Sequence, residues 1–310
     1  MMAAVTDWMQ RVEPFVEADV AAIIQGITGR TGRQHSQLMR AYGTRIVGGV
    51  SPYSDVDEVD GVAIFRSCAE AVSATGAKAS VVMVPPLAVL AAIREAISAG
   101  IRLIVTIAEG MPVADAVVAL EEVHAAGVRW IGPSTPGLAI PGVLKLGFLP
   151  NVSLAPGTLG VMAKSGTLSY EVCHRLVDRG FGQSLWVGVG GDAVKGTRFA
   201  DILPFMLADP KTRGIVVIGE IGGSEEEELA ATMIALRCTK PVFALIAGRT
   251  AREGIMMGHA GALILGNVGT VDSKKEALVG AGAQVFTRIQ ELVDAVTTGL
   301  EPKAGENTCC

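Results

Sequence analysis

A chain of 310 residues and 32.0 kDa is long enough for two domains of ordinary size. Half of its residues are hydrophobic and 18% are charged, against about 25% charged in a typical soluble chain, which excludes disorder over most of its length. The net charge of −5 argues against a nucleic-acid partner, and no metal site is expected, because the five cysteines lack ligand spacing.

Mean hydropathy is +0.44, so a membrane span has to be tested. A span needs roughly 20 mainly apolar residues. The run 79–93 stops short and contains Pro85-Pro86, and the uncharged stretches 146–163 and 254–271 are broken by prolines or glycines. No span is predicted. The acids Asp7, Glu13, Glu17 and Asp19 argue against a leader peptide. An odd cysteine count fits a reducing cytoplasm, with Cys309-Cys310 read as a solvated tail.

In chain order, apolar strand-like runs fall at 20–24, 45–47, 80–84, 103–107 and 128–131, with helix-like stretches at 87–99 and 114–126 between them. In the second stretch Val117, Leu120 and Val123 are spaced for one helix face. Residues 132–156 hold five prolines and read as loops and a linker, with a domain boundary at 154/155. Strand-like runs return at 159–162, 184–187, 214–218, 242–246 and 284–286, and helix-like ones at 168–179, 225–237 and 289–297. This alternation predicts an α/β chain of two parallel-sheet domains with right-handed crossovers, residues 1–154 and 155–310. Ser224 and Glu227 are placed as a capping box, and Glu225–Glu228 are read as a solvated helix start.

Four motifs carry candidate chemistry. Gly26-Ile-Thr28-Gly29-Arg30-Thr31-Gly32 follows the first strand and opens a helix, where backbone N–H groups can hold phosphate. A dinucleotide site would need Gly-x-Gly-x-x-Gly and an acid ending the second strand. The spacing here is Gly-x-x-Gly-x-x-Gly and the second strand ends Gly48-Gly49-Val50-Ser51-Pro52, so an NAD-dependent dehydrogenase is disfavoured. Ser165-Gly166-Thr167 opens a helix after the strand at 159–162, as a phosphate cradle or an ordinary cap. His259 lies among small residues where a bulky reactant can reach a nucleophilic imidazole; on the residues alone it reads first as a buried, satisfied histidine. Glu220 ends a parallel strand, where doubly wound folds place their sites, and could orient a histidine or simply flank a helix. His35, His124 and His174 are read as structural or surface residues.

Taken together, these motifs resemble one family, the α subunits of succinate–CoA ligase (nucleoside-diphosphate-forming). The resemblance runs from about Val20 to Val296. It includes Gln25–Gly29, Val47–Val50, Ala71–Ala77, Thr106–Gly110, Gly132-Pro133, Lys164–Glu171, Gly188–Asp192, Gly219–Glu225 and Met257–Gly261. It implies a Rossmann-like domain that binds coenzyme A and a flavodoxin-like domain with a phosphohistidine. By motif match, Gly26, Thr28, Gly29, Arg30, Thr31 and Gly32 would hold CoA, and Pro85, Ile107, Ala108 and Glu109 would line its site. His259 would be phosphorylated and Glu220 would bond its ring, while Ser165, Gly166 and Thr167 would cradle the phosphoryl group. Tyr170 would stand near a small carboxylate substrate. A separate ATP-grasp β subunit, as αβ or α2β2, would supply ATP or GTP with Mg²⁺.

Two departures stand out. The family's CoA-contacting lysine falls at Ser54, followed by Asp55, Asp57, Glu58 and Asp60, which suggests an altered grip on CoA. The family's Asn-Cys pair becomes Ser134-Thr135 in the acid-side loop, so a malate or citrate ligase is an alternative to succinate. A non-catalytic CoA-binding regulator is the other alternative; the retention of His259, Glu220 and Ser165–Thr167 speaks against it.

Overall fold

The computed structural model describes residues 13–251, 254–255, 257–264 and 269–301; the Cys309-Cys310 tail lies outside them. The chain forms two compact units. Of the described residues, the N-terminal unit comprises Val16–Leu149 together with Gly188–Arg198, and the C-terminal unit comprises 13–15, Pro150–Val187 and those from Phe199 onward.

In the N-terminal unit the elements are β1 (Ala22–Gln25), α1 (Arg30–Ala41), β2 (Ile46–Val50), β3 (Glu58–Val59), β4 (Val62–Phe65) and α2 (Cys68–Thr75). They continue with β5 (Ala79–Val82), α3 (Val89–Ser98), β6 (Leu103–Thr106), α4 (Val113–Ala125) and β7 (Arg129–Ile131). The sheet order is β3-β4-β2-β1-β5-β6-β7, parallel throughout except for the β3–β4 pair. This is the Rossmann-like arrangement expected. Strands β1, β5 and β6 are buried along their whole length, which is why they read as continuous aliphatic runs. Helix α3 buries Val89, Ala92, Ile93 and Ala96, one face at helical spacing. Helix α4 corrects one expectation: its buried face is Ala116, Ala119 and Val123, and Val117 is exposed. The alanines face the sheet because a small side chain lets the helix backbone come close.

Residues 132–156 are not a linker. They contain an antiparallel hairpin, β8 (Gly137–Ile140) with β9 (Leu144–Gly147), and Leu138, Ala139, Leu144 and Leu146 are buried. The prolines misled the reading because they stand at the turn and the flanks, where no ladder N–H is needed. The segment Gly188–Arg198 closes on the region just before this hairpin. The Thr197 hydroxyl donates to the Trp130 carbonyl at 2.6 Å and the Gly196 N–H to the Gly132 carbonyl at 2.9 Å.

The C-terminal unit runs β10 (Pro156–Ala163), α5 (Gly166–Val177), β11 (Gln183–Gly188), α6 (Phe199–Ala208), β12 (Gly214–Glu220), α7 (Glu225–Ala235), β13 (Val242–Ala247), α8 (Val271–Gly280), β14 (Gln284–Phe286) and α9 (Ile289–Gly299). Its strands lie in the order β14-β13-β12-β10-β11, and β10, β12, β13 and β14 pair in parallel. This is the flavodoxin-like order expected. In each unit the chain leaves its first strand to one side and then returns to the other. A crevice therefore opens at the C-terminal ends of β1 and β5 in one unit, and of β10 and β12 in the other. Among the described residues no helix is long and apolar enough to cross a membrane.

Candidate functional site

Glu220 is the last residue of β12, at the crevice of the C-terminal unit. Its Oε2 lies 2.7 Å from His259 Nδ1, and the histidine side chain keeps 26% of its surface exposed. His259 is therefore not the fully buried residue that its neighbours suggest. It sits on a short turn closed by Met257 N–H to the Ala262 carbonyl and Ala262 N–H to the His259 carbonyl, both 3.0 Å. Ala262 and Ile264 bury themselves against Ile221, and Gly222 N–H donates to the Gly269 carbonyl at 2.8 Å. The histidine turn is thus seated directly on the residues that follow Glu220.

Beside Glu220, β10 ends at Ala163, and Lys164 N–H donates to the Ile218 carbonyl of β12 at 2.9 Å. The next residues, Ser165, Gly166 and Thr167, open α5. The Ser165 hydroxyl accepts the Leu168 N–H at 3.4 Å, and the first turn carries no acid. The helix start thus remains attractive to an anion. Tyr170, one turn on, is half-buried, and burial pushes its phenol up to about 12, so it is a neutral donor at physiological pH.

The start of α7 differs from the sequence expectation. Ser224 makes no capping bond to the helix and instead donates to Glu228 at 2.7 Å. Glu225 and Glu226 are buried, paired with Lys164 and, for Glu226, with Lys274 as well. Burial works against each charge, yet the opposite charges outweigh it. Glu226 is held below the usual carboxylate range by Lys164 and Lys274, and Lys164 above the usual lysine range by Glu226 and Glu225. Four glutamates in a row conceal the fact that the first two turn inward.

In the N-terminal unit the loop after β1 and the start of α1 meet the ends of β5 and β6. Gly29, Arg30, Thr31 and Gly32 share a cleft of about 560 Å³ with Pro85, Ile107, Ala108 and Glu109. The structure adds Met83, Val84, Pro86 and Phe148 to this lining. Phe148 stacks on His35 at 3.8 Å and, being distant in sequence, gave no local signal. Gly26 is partly buried beneath the loop, its carbonyl accepting Gly29 N–H at 3.2 Å. A Cβ on Gly32 would lie 2.3 Å from that same oxygen, so the helix reaches the strand only through glycine. Thr28 bonds Ser51 at 3.1 Å and lines a polar recess with Arg30 and Arg33. Helix α1 has no acid in its first turn and no side-chain cap, which suits phosphate. Ser54 turns its hydroxyl onto the Val56 backbone. Among the acids that follow it, Asp57 is met by Arg66 and Asp60 by Arg33, while Arg40 donates to the Asp60 backbone carbonyl.

Thr135 is 3% exposed. Its hydroxyl donates to the Gly188 carbonyl at 2.5 Å and accepts Gly137 N–H at 2.9 Å, so this side chain shapes the loop and has no hydroxyl left for an acid. Ser134 is partly exposed, at a positive φ of 57°, and its hydroxyl is the one that could meet a substrate.

Known proteins match both units. The model of the CoA binding domain matches residues 17–110 and that of the CoA-ligase domain residues 162–284. The chain is 42% identical over 298 residues to the α subunit of succinate–CoA ligase (ADP-forming) from Aquifex aeolicus, covering 94% of this chain and 97% of that one. It is 41% identical to a subunit of an ADP-forming sulfoacetate–CoA ligase from Bilophila wadsworthia, covering 90% of this chain and 96% of the relative. Among solved structures, ATP citrate lyase from Methanothrix soehngenii, in complex with citrate and coenzyme A, superposes with a TM-score of 0.81 at 22% identity over 94% of this chain. The chain spans 52% of the length of that protein. The fold and the matched domains define a CoA ligase of the two-domain type. Within that class, the chain belongs to the family of succinate–CoA ligase α subunits.

Proposed function

We propose that this chain is the α subunit of an acid–thiol ligase that makes an acyl-CoA thioester from a small carboxylate, coenzyme A and a nucleoside triphosphate. The observation that carries the reading is the 2.7 Å bond between His259 and Glu220 at the crevice beside the start of α5. With Nδ1 engaged by the carboxylate, Nε2 is the nitrogen assigned to the phosphoryl group. It attacks the terminal phosphorus, and the nucleoside diphosphate leaves. Glu220 offsets the positive charge that develops on the ring, and the N–H groups at Ser165, Gly166 and Thr167 stabilise the phosphoryl oxygens. A substrate carboxylate oxygen then takes the phosphoryl group as an acyl phosphate and releases neutral His259. Attack of the CoA thiolate on the acyl carbon expels inorganic phosphate. The histidine splits one hard transfer into easier ones.

The N-terminal cleft fits coenzyme A chemically. Thr28, Arg30 and Thr31 with the start of α1 suit its phosphates, and Pro85, Ile107, Ala108 and Phe148 offer apolar walls to the rest. Replacing Gly32 by valine should weaken CoA binding at least about tenfold, because the helix start must retreat from the Gly26 carbonyl. Isothermal titration of the full chain with CoA measures this, and unchanged affinity in the folded variant would show that the cleft does not hold CoA. The relatives named as α subunits support a β subunit, which we assign as an ATP-grasp chain supplying ATP or GTP with Mg²⁺, in an αβ or α2β2 complex. Cysteine usage supports the cytoplasm.

Succinate is the first choice of acid, with malate, citrate and sulfoacetate behind it. The experiment is kcat/KM for these acids in the complex reconstituted with its β subunit, with this chain alone giving no turnover. Since Thr135 is committed to the backbone, Ser134→Asn should move the preference toward succinate more than Thr135→Cys does. A succinate preference of about 100-fold in the unmodified enzyme, roughly 2.7 kcal/mol, would refute the idea that this loop selects a different acid. Robust thioester formation by the chain alone would refute the subunit reading.

A further inference from the structure

Behind the His259–Glu220 pair stands a fully buried carboxylate whose bonds go to two lysines and to backbone. Glu226, in the first turn of α7, is 0% exposed. Its Oε1 accepts the backbone N–H of Glu220 at 3.1 Å and lies 2.9 Å from Lys164 Nζ. Its Oε2 takes Lys274 Nζ from α8 and Lys164 Nζ at 3.1 Å. Lys274, also fully buried, donates in addition to the Gly223 carbonyl at 3.0 Å and to Glu227 at 3.1 Å. Glu225, 3.6 Å from Lys164, accepts the Phe199 N–H at 3.0 Å.

One carboxylate therefore ties together three pieces of backbone that build the site. These are Glu220 itself, the residue preceding Ser165, and, through Lys274, the turn that follows Glu220. The sequence makes room for it. A Cβ on Gly219 would lie 2.5 Å from Glu226 Oε1, so the glycine before Glu220 leaves the space that the carboxylate occupies. Burying the four charges of Lys164, Glu225, Glu226 and Lys274 costs more than burying apolar groups of the same size. What the cluster supplies is a set of directional bonds that hold the end of β12 in one place.

We propose that Glu226, clamped between Lys164 and Lys274, is a positioning residue that fixes the Glu220 carboxylate against His259. The catalytic consequence rests on the phosphohistidine reading; the geometric claim concerns the unphosphorylated chain and is tested separately. Replacement by glutamine keeps the shape. The amide, however, has one acceptor oxygen where the carboxylate had two: it either turns its NH₂ onto Lys164 and Lys274 or turns it onto the Glu220 N–H, and in both cases the clamp on the end of β12 is broken.

The test is the ¹⁵N spectrum of the His259 ring in the labelled full chain at one neutral pH, for the wild type, Glu220→Gln, Glu226→Gln and the double variant. Glu226→Gln paired with Lys274→Met removes one anion and one cation together, and serves if the single change does not fold. The expected result is that Glu226→Gln moves the Nδ1 signal most of the way to its position in Glu220→Gln, and that adding Glu220→Gln then changes little. In the reconstituted complex, the rate of His259 labelling should fall about tenfold or more in Glu226→Gln. It should also fall less on addition of Glu220→Gln than in the wild type, the non-additivity of coupled groups. A ring signal unmoved in a folded Glu226 variant overturns the proposal, as do fully additive labelling losses. A wild-type complex that takes no label at His259 while the ring responds as expected overturns the phosphohistidine reading and supports the positioning role.

Discussion

Replacing His259 by alanine should abolish phosphoryl transfer altogether. In the complex with the β subunit and γ-labelled nucleotide, the wild type should carry a base-stable, acid-labile label, and His259→Ala none. The loss is total rather than partial because, in the proposed reaction, His259 is the covalent acceptor. Glu220→Gln should leave the label possible but slow it by roughly 100-fold, the scale for removing one preorganised electrostatic partner. CoA affinity, held in the other unit, should not change in either variant. Label retained at full level in His259→Ala would sink the mechanism.

The second large effect is expected at Gly222, which has no side chain to take part in the chemistry. Its φ is +86°, and a Cβ there would lie 2.1 Å from the Gly261 carbonyl and 2.6 Å from the Leu263 nitrogen. Both belong to the turn that carries His259. A β-branched residue at this φ is itself strained by about 1–2 kcal/mol, and the collision is with backbone, which cannot rotate aside. Gly222→Val should therefore lift the histidine turn off Ile221 and out of reach of Glu220. A displacement of about 1 Å at a reacting group can cost about 100-fold, so labelling should drop by at least that much. Circular dichroism and CoA binding should stay close to wild type, because Gly222 lies at the crevice rather than in the sheet. If labelling persists at the wild-type rate in the folded variant, the seating of the turn on Gly222 is not what places His259.

Much of this was readable in the chain. The aliphatic runs at 103–107 and 214–218 became buried parallel strands because strands covered on both faces need no alternation. Gly26–Gly32 and Ser165–Thr167 both fell at helix starts, since each follows a strand and offers small residues where a helix must begin. The hairpin at 137–147 was hidden by prolines that mark its turn and flanks. The inward pair Glu225 and Glu226 was hidden because helix position, not composition, decides which of four identical residues is buried. Their partners Lys164 and Lys274 are 110 residues apart in the sequence, and nothing local announces that they share one carboxylate. Phe148 joined the N-terminal cleft in the same way, through a long-range stack on His35.

The return of Gly188–Arg198 to the N-terminal unit bears on how the protein is made. A nascent chain that has emerged only as far as Leu149 holds every strand of the first sheet but lacks Gly196 and Thr197, the partners of the Gly132 and Trp130 carbonyls. Gly196 also packs so closely on Trp130 that a Cβ there would stand 2.3 Å from its carbonyl oxygen. The first unit cannot complete itself until β10, α5 and β11 have been synthesised behind it. Its final closure is thereby deferred to a time when much of the second unit already exists, and cutting the gene at the visible boundary would divide a fold that the ribosome never finishes in one piece.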